Sequence, residues 1–147
     1  MTETDTRSAD KARIARQFIE AIPFSQALRM SLDEIGDGMA VISMPYADEL
    51  IGDPGTGVIH GGAVSALMDT TGGAAVVSHP QALAGTATID LRIDYMRPAT
   101  PGDTITCKAV CYNVTRSVAF IRAAAFDGDA ARPVASATGA FTVERAR

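Results

Sequence analysis

The sequence is poor in the residues that build metal and disulfide sites. It has two cysteines, two histidines and no tryptophan among 147 residues, and aromatic residues make up only 5% of it. Cys107 and Cys111 are four residues apart in a predicted strand, so they share a face but lie too far apart along it for an easy disulfide. We expect two buried free thiols in a reducing compartment and no metal site.

Basic residues and long apolar runs are also scarce. The 13 Lys and Arg residues are outnumbered by 17 Asp and Glu residues, which gives a net charge of -4 and no basic surface for nucleic acid. No stretch approaches the ~20 apolar residues of a membrane span. Residues 1–10 lack the cationic segment and apolar core of a secretory signal. These features predict a cytoplasmic protein without a nucleic-acid or membrane partner.

The overall composition is that of an ordinary globular protein, with 47% hydrophobic and 20% charged residues. A chain of this length is long enough to bury most of its apolar surface in one domain. We expect a flexible N-terminal tail over residues 1–10 and a single domain over residues 11–147, without internal repeats or linkers.

Hydrophobic periodicity and turn residues divide the chain into helices and strands. They predict a helix capped by Ser8 and ended by Pro23, and then a β-hairpin around Gly36-Asp37-Gly38. An irregular loop over residues 46–57 leads into a central helix. Alternating apolar residues then predict a meander of four strands over residues 88–95, 104–115, 117–126 and 134–143. In the first of these strands, the residues expected on the buried face are Ile89, Leu91, Ile93 and Tyr95.

The central helix, within residues 56–77, has an unusual composition. Four glycines, at positions 61, 62, 72 and 73, each disfavour a helix interior by roughly 1 kcal/mol relative to alanine, which suggests close backbone approach. One face is an apolar stripe of Val64, Leu67, Met68, Thr71 and Ala75. The other face is small, and Asp69 is its only formal charge, so we expect this face to be covered by another subunit. Asp69 is then either a hydrogen-bonded structural acid or a functional carboxylate.

Two motifs carry a resemblance to a known family. His60-Gly61-Gly62 is followed by Asp69 nine residues after the histidine, and a later strand end reads Ile93-Asp94-Tyr95-Met96-Arg97-Pro98-Ala99. Over about residues 35–143 the chain resembles the PaaI-like hotdog-fold acyl-CoA thioesterases. The resemblance implies an α+β fold, a single hotdog domain whose antiparallel β-sheet wraps around the long central helix, here with an extra N-terminal helix. It also implies a homodimer with active sites at the dimer interface, and leaves open whether two dimers assemble as a dimer of dimers.

The resemblance implies roles for residues at the start and middle of the helix. Asp69 is the catalytic carboxylate, either as a general base on water or as a nucleophile that forms a transient acyl anhydride. The N–H of Gly61 has no intrahelical acceptor and suits the oxyanion of a thioester carbonyl, as helix geometry also implies. Gly62 lets the acyl group approach the backbone. His60 either orients the loop and contacts the carbonyl, or is bonded to the backbone at the start of the helix.

Other substrate-binding positions match the family less well. Pro54 stands where many relatives have an Asn or Gln that contacts the carbonyl or the lytic water, and Asp53 or Thr56 are the available substitutes. Gly73 stands where some relatives use a threonine to hold the water. Thr88 is the best match for a hydroxyl residue that assists at the site in another subgroup.

Basic residues follow two of the predicted strands. Arg97 and Arg116, with Ser117 beside the second, match positions at which the family binds the phosphates of coenzyme A. The alternative is that both arginines are solvated cations in turns.

The resemblance predicts hydrolysis of an acyl-CoA thioester to free CoA and a carboxylic acid, without a metal or redox cofactor. The alternative is a non-catalytic module that binds or senses acyl-CoA, because Pro54 and Gly73 replace side chains that relatives use. A hotdog hydratase is disfavoured, since only His60 and His79 are available and neither lies in a matching signature. Aryl and aliphatic acyl groups both stay open.

Overall fold

The computed structural model describes residues 2–81 and 83–145. It contains three α-helices: α1 (Glu3–Ala21), α2 (Pro23–Ala27) and α3 (Gly61–Val77). In the described part of the chain, no helix is both long enough and apolar enough to cross a bilayer.

The first helix begins earlier than predicted. Thr2, not Ser8, precedes its first turn, and the Thr2 hydroxyl donates to the Asp5 carboxylate at 2.9 Å. Glu3 and Asp5 also place negative charge at the positive end of the helix dipole. Residues 3–10 are therefore helical, and Pro23 separates α1 from α2 by occupying the first position of the second helix.

Ten strands complete the fold of the described residues. In chain order they are β1 (Ser31–Gly36), β2 (Met39–Met44), β3 (Ile51–Asp53), β4 (Val58–Ile59), β5 (Leu83–Gly85), β6 (Thr88–Tyr95), β7 (Ile105–Val114), β8 (Val118–Phe126), β9 (Ala135–Thr142) and β10 (Glu144–Arg145). Six of them form one antiparallel sheet in the order β1-β2-β7-β8-β9-β6, while β3 pairs with β4 and β5 pairs with β10.

The predicted hairpin and six-stranded sheet are confirmed, but the predicted meander is wrong for its first strand. β6 pairs with β9, with Tyr95 opposite Ala135, and forms an edge of the sheet rather than a neighbour of β7. Alternation of apolar residues predicts a strand but not the strand with which it pairs. The connection over residues 96–104 is long enough to cross the sheet from β6 to β7.

The predicted irregular loop over residues 46–57 is partly structured. It contains a single 3₁₀ turn, Asp48–Leu50, and strand β3, which returns as β4 just before α3. The Tyr46 hydroxyl donates to the carbonyl oxygen of Gly57 at 2.7 Å, and Gly57 has a φ of +77°, which favours glycine. This short hairpin fixes the backbone that leads to the helix start.

Helix α3 lies against all six strands of the main sheet. The sheet wraps around the helix as expected, and the predicted apolar stripe of the helix is buried. Its residues are Val64, Leu67, Met68, Thr71 and Ala75. On the other face, Gly72 is buried within the same chain, where an added Cβ would lie 3.0 Å from Cζ of Phe141. Part of the small face is therefore covered by the chain's own sheet, whereas Asp69 and Gly73 are half-buried and Gly62 is exposed.

The edge position of β6 changes the exposure of its apolar side chains. Leu91 and Ile93 are half-buried, but Ile89 is 55% and Tyr95 is 52% exposed, so the expected buried face is wrong at these two residues. The two cysteines behave as predicted. Both are free and buried on one face of β7, and burial raises the pKa of the Cys107 thiol to about 12.

Candidate active site

Asp69 and Thr88 meet where the middle of α3 faces the beginning of β6. The Thr88 hydroxyl donates to Oδ1 of Asp69 at 2.6 Å. Both residues line a cavity of about 810 Å³ that extends from α3 towards α1 and α2. The structure thus brings together the predicted catalytic acid and the hydroxyl residue that the family resemblance indicated. The contact orients one carboxylate oxygen.

The start of α3 carries a second polar arrangement. His60 is the N-terminal cap of the helix, and its Nδ1 accepts a hydrogen bond from the N–H of Gly62 at 2.8 Å. His60 was predicted either to orient the loop and contact the carbonyl or to be bonded to the backbone. In the structure its side chain is bonded to the backbone at the helix start. The neighbouring Gly61 N–H has no acceptor in the described part of the chain. It is a donor at the positive end of the helix.

Ser65 and Tyr95 form a hydroxyl pair beside Gly61 that the sequence analysis missed. The Tyr95 hydroxyl donates to the carbonyl oxygen of Gly61 at 3.0 Å and lies 2.6 Å from the Ser65 hydroxyl. Ser65 also donates to the same carbonyl at 3.1 Å in one arrangement of the hydroxyl protons. The signal in the sequence that could have indicated this pair was Tyr95 at the end of a predicted strand, because the hydroxyl of a tyrosine usually has a hydrogen-bond partner. These contacts fix the peptide at the helix start.

The loop before the helix does not supply the missing amide of the family. Pro54 is exposed in the turn that joins β3 to β4. Asp53 accepts hydrogen bonds from the Thr56 hydroxyl at 2.8 Å and from the Gly55 N–H at 3.0 Å. Both bonds lower the pKa of Asp53, and the bond from Thr56 has the larger effect. The two proposed substitutes, Asp53 and Thr56, are bonded to each other within the turn.

Arg97 forms an ion pair with Asp127 of the same chain. Its two terminal nitrogens each lie 2.7 Å from a carboxylate oxygen of Asp127, whose side chain is fully buried, and one of them also donates to the Arg132 carbonyl. The Arg97 guanidinium is the main cause of a strongly lowered pKa at Asp127. The Nε of Arg97 is buried as well. This geometry favours a structural ion pair over a contact with phosphate.

The other predicted contacts of coenzyme A lie away from the cavity. Arg116 and Ser117 are exposed in the turn between β7 and β8. Pro54, Arg97, Arg116 and Ser117 are all absent from the cavity lining. Within residues 2–81 and 83–145, no group of three or more His, Cys, Asp or Glu side chains could hold a metal ion.

Two sequence relatives have related activities in their names. A putative esterase of Halobacterium salinarum is 37% identical over 93 residues, which cover 61% of this chain and 62% of that protein. This match therefore spans less than two thirds of the relative. The medium/long-chain acyl-CoA thioesterase YigI of Escherichia coli is 25% identical over 143 residues, which cover 88% of this chain and 91% of the relative.

Solved structures share the architecture. A Pseudomonas aeruginosa protein is 38% identical with a TM-score of 0.80, and the match covers 90% of this chain and 98% of the other. A variant of the phenylacetic acid degradation protein PaaI from Thermus thermophilus is 27% identical with a TM-score of 0.73, over 84% of this chain and 99% of the other. Residues 56–134, just over half of the chain, match the family model described as Thioesterase superfamily. The chain therefore belongs to the thioesterase superfamily, and the predicted PaaI-like hotdog fold is confirmed.

Proposed function

We propose that the protein hydrolyses an acyl-CoA thioester to free CoA and a carboxylic acid, with Asp69 as the catalytic carboxylate. The observation that carries the proposal is the Thr88 hydroxyl bonded to Asp69 at 2.6 Å on the wall of a cavity of about 810 Å³, in a chain of the thioesterase superfamily. The activity in the name of the Escherichia coli relative supports a CoA ester as substrate. The reaction balances with water alone and needs no cofactor.

Asp69 has two chemical routes. As a general base, it takes a proton from water while the water oxygen bonds to the thioester carbon, and the tetrahedral intermediate then expels the CoA thiolate, which takes up a proton. As a nucleophile, its oxygen displaces the thiolate and forms an acyl anhydride, which water then hydrolyses. Thr88 donates to one carboxylate oxygen, so the other oxygen is the one that acts in either route.

The oxyanion that forms on the carbonyl oxygen needs a donor. The Gly61 N–H suits this role because it has no acceptor in the described part of the chain and lies at the positive end of the α3 dipole. One such donor stabilises the transition state by about 2.7–4 kcal/mol. His60, by accepting from Gly62, and Tyr95, by donating to the Gly61 carbonyl, hold this turn in position.

The two groups lie on different parts of one helix. Gly61 and Asp69 are eight residues apart, which corresponds to about 12 Å along the axis and places them far apart for one carbonyl. We therefore propose that each active site combines Gly61 of one protomer with Asp69 of a second. The exposed edge strand β6 supports a homodimer joined at that edge, because Ile89 is 55% exposed and Met96, just after the strand, is 58% exposed. The resemblance leaves a dimer of dimers open as well.

Mixed dimers test this arrangement. Gly61→Pro and Asp69→Asn homodimers are each expected to keep about 1% of the activity or less. A heterodimer of the two variants would contain one site with both intact groups, and we expect it to recover about half of the activity of the normal dimer, which has two sites. If both groups of a site came from one protomer, the heterodimer would stay inactive.

The phosphates of coenzyme A call for cationic and hydroxyl partners. Arg116 and Ser117 are exposed in one turn and are the better candidates, because the Arg97 guanidinium is occupied by Asp127. Arg116→Ala should raise KM for an acyl-CoA while it leaves KM for the same acyl group on a short thiol carrier unchanged. The same rise with both substrates would contradict phosphate binding.

The proposed function is tested by release of free thiol from a panel of acyl-CoAs. The panel covers butyryl-, octanoyl-, dodecanoyl-, hexadecanoyl- and phenylacetyl-CoA, and the acid product is identified by mass spectrometry. Turnover with stoichiometric free CoA and carboxylic acid supports the proposal. Saturable binding of these esters without turnover would overturn it and favour the non-catalytic binding module.

A further inference from the structure

The cavity at Asp69 continues well beyond the reacting groups. Its wall opposite α3 is built from the N-terminal helices, by Ile14 and Ile19 of α1 and by Phe24 of α2. Ala74 and Val77 of α3 line the other side. The polar pair of Asp69 and Thr88 is therefore continuous with an apolar chamber, which we define by these five residues.

Two residues of the chamber wall are unusual for a protein surface. Ile14 is 59% and Phe24 is 61% exposed, although both side chains line the same concave cavity. Apolar side chains that face a hydrated hollow lose the stabilisation that burial provides. An apolar occupant would cover both of them. The cavity volume of about 810 Å³ is within the range of roughly 300–1,000 Å³ found for pockets that enclose drug-sized ligands.

We propose that this chamber receives an aliphatic acyl chain of medium to long length, with α1 and α2 as the wall that sets the accepted length. The inference rests on the proposed thioester hydrolysis and deepens it by naming the acyl class. A thioester carbon at Asp69 has its acyl chain at the mouth of the chamber, because Asp69 and Thr88 line the same cavity as Ile14 and Phe24. A single aromatic ring would leave the N-terminal end of the chamber uncovered.

Charge at the cavity wall narrows the acyl class further. Glu144 also lines the cavity, so an acyl group that carries its own carboxylate would meet like charge. We expect uncharged chains to be preferred. The gain in kcat/KM is about fourfold for each methylene that enters the chamber, and it ends where the chain reaches the wall formed by α1 and α2.

A charge placed on the wall tests the chamber. Ile14→Asp puts a carboxylate beside the acyl chain, whereas Gln17→Asp puts the same residue on the same helix at an exposed position outside the cavity lining. Both variants change the helix propensity of α1 in the same direction. We expect Ile14→Asp to lower kcat/KM for dodecanoyl-CoA by about tenfold or more, since an unpaired charge is costly beside a hydrocarbon. Butyryl-CoA should change little, and Gln17→Asp should be normal with both esters.

Several results would contradict the proposal that the chamber receives the acyl chain. They are a wild-type preference for butyryl- or phenylacetyl-CoA over dodecanoyl-CoA, an equal loss with all esters in Ile14→Asp, and an equal effect of Gln17→Asp. Binding of dodecanoate, followed by calorimetry, separates this inference from the proposed function. If no thioester is hydrolysed but dodecanoate binds to the wild type and not to Ile14→Asp, the chamber stands and the hydrolysis fails. If dodecanoate binds both equally, the chamber fails.

Discussion

The Thr88 hydroxyl donates to Oδ1 of Asp69 at 2.6 Å and thereby joins the first residue of the edge strand β6 to the middle of the central helix. The bond joins residues that are 19 positions apart in the sequence and that both line the large cavity. In the proposed reaction, it limits the rotation of the carboxylate and leaves the other oxygen for a water or a thioester carbon.

Removal of this bond should reduce turnover more than binding. Thr88→Val keeps the shape of the side chain but lacks the donor, so the carboxylate loses its orientation, and we expect kcat to fall about tenfold with little change in KM. Thr88→Ser retains the hydroxyl and should keep most of the activity. Full activity of Thr88→Val in steady-state thiol release would show that the bond has no part in catalysis.

Replacement of Gly61 by proline removes the proposed oxyanion donor without removing the helix start. Proline is favoured at the first helical position, and His60, with φ -58° and ψ 134°, already has the extended conformation that precedes proline. We expect kcat of Gly61→Pro to fall by about 10²–10³.

Gly61→Ala is the matched control, because it keeps the N–H and its Cβ would lie 3.4 Å from Cε1 of Tyr95. It should be far more active than the proline variant. Equal activity of the two, measured with folding checked by circular dichroism, would remove Gly61 from the mechanism.

The adjacent glycines 72 and 73 should respond oppositely to alanine. A Cβ at Gly72 would lie 3.0 Å from Cζ of Phe141, whereas one at Gly73 would have its nearest neighbours at 3.9 Å. Gly73→Ala should stabilise the protein by about 0.5–1 kcal/mol through helix propensity. Gly72→Ala should lose that gain to overpacking, which costs about 1–3 kcal/mol. Urea unfolding measures both, and equal shifts would contradict the packing of Phe141 on Gly72.

The ion pair of Arg97 with Asp127 should make stability depend on pH in acid. The pKa of Asp127 is lowered from 3.8 in the folded state, so below that value the unfolded state binds a proton that the folded state does not. The stabilisation is therefore complete above about pH 4 and decreases as pH falls. Asp127→Asn should cost about 3 kcal/mol at neutral pH, since it leaves the partner charge uncompensated.

The deficit of Asp127→Asn relative to wild type should shrink in acid. Unfolding free energies measured in urea at about pH 7 and about pH 3 compare the two proteins. A deficit that is equal at both pH values would mean that the carboxylate does not titrate with this lowered pKa.

The sequence predicted the central helix better than its surroundings. The stripe of α3 follows from period alone, and Asp69 stood out as the only charge on a small face. Thr88 was predicted at the site only by the resemblance, and its contact with Asp69 was not predicted, because the alternation of strand residues carries no information on a neighbour across the fold.

Long-range partners explain the remaining errors. Tyr95 was expected to be buried, but β6 is an edge strand and the hydroxyl reaches Gly61, 34 residues earlier. Arg97 was predicted either at a phosphate or as a solvated cation in a turn; its ion pair with Asp127, 30 residues later, follows no local pattern. Pairings of this kind depend on which strands become neighbours, and the order β9-β6 is fixed only by the complete sheet.

The central claim is that the Asp69 carboxylate acts on a thioester, and Asp69→Asn tests it most directly. The amide keeps the size of the side chain and can still accept from Thr88, but it is neither a base nor a carboxylate nucleophile. In thiol release with saturating dodecanoyl-CoA and with butyryl-CoA, we expect kcat to fall by about 10²–10⁴ while the variant still binds the ester. An Asp69→Asn protein that releases CoA at the wild-type rate would contradict the account.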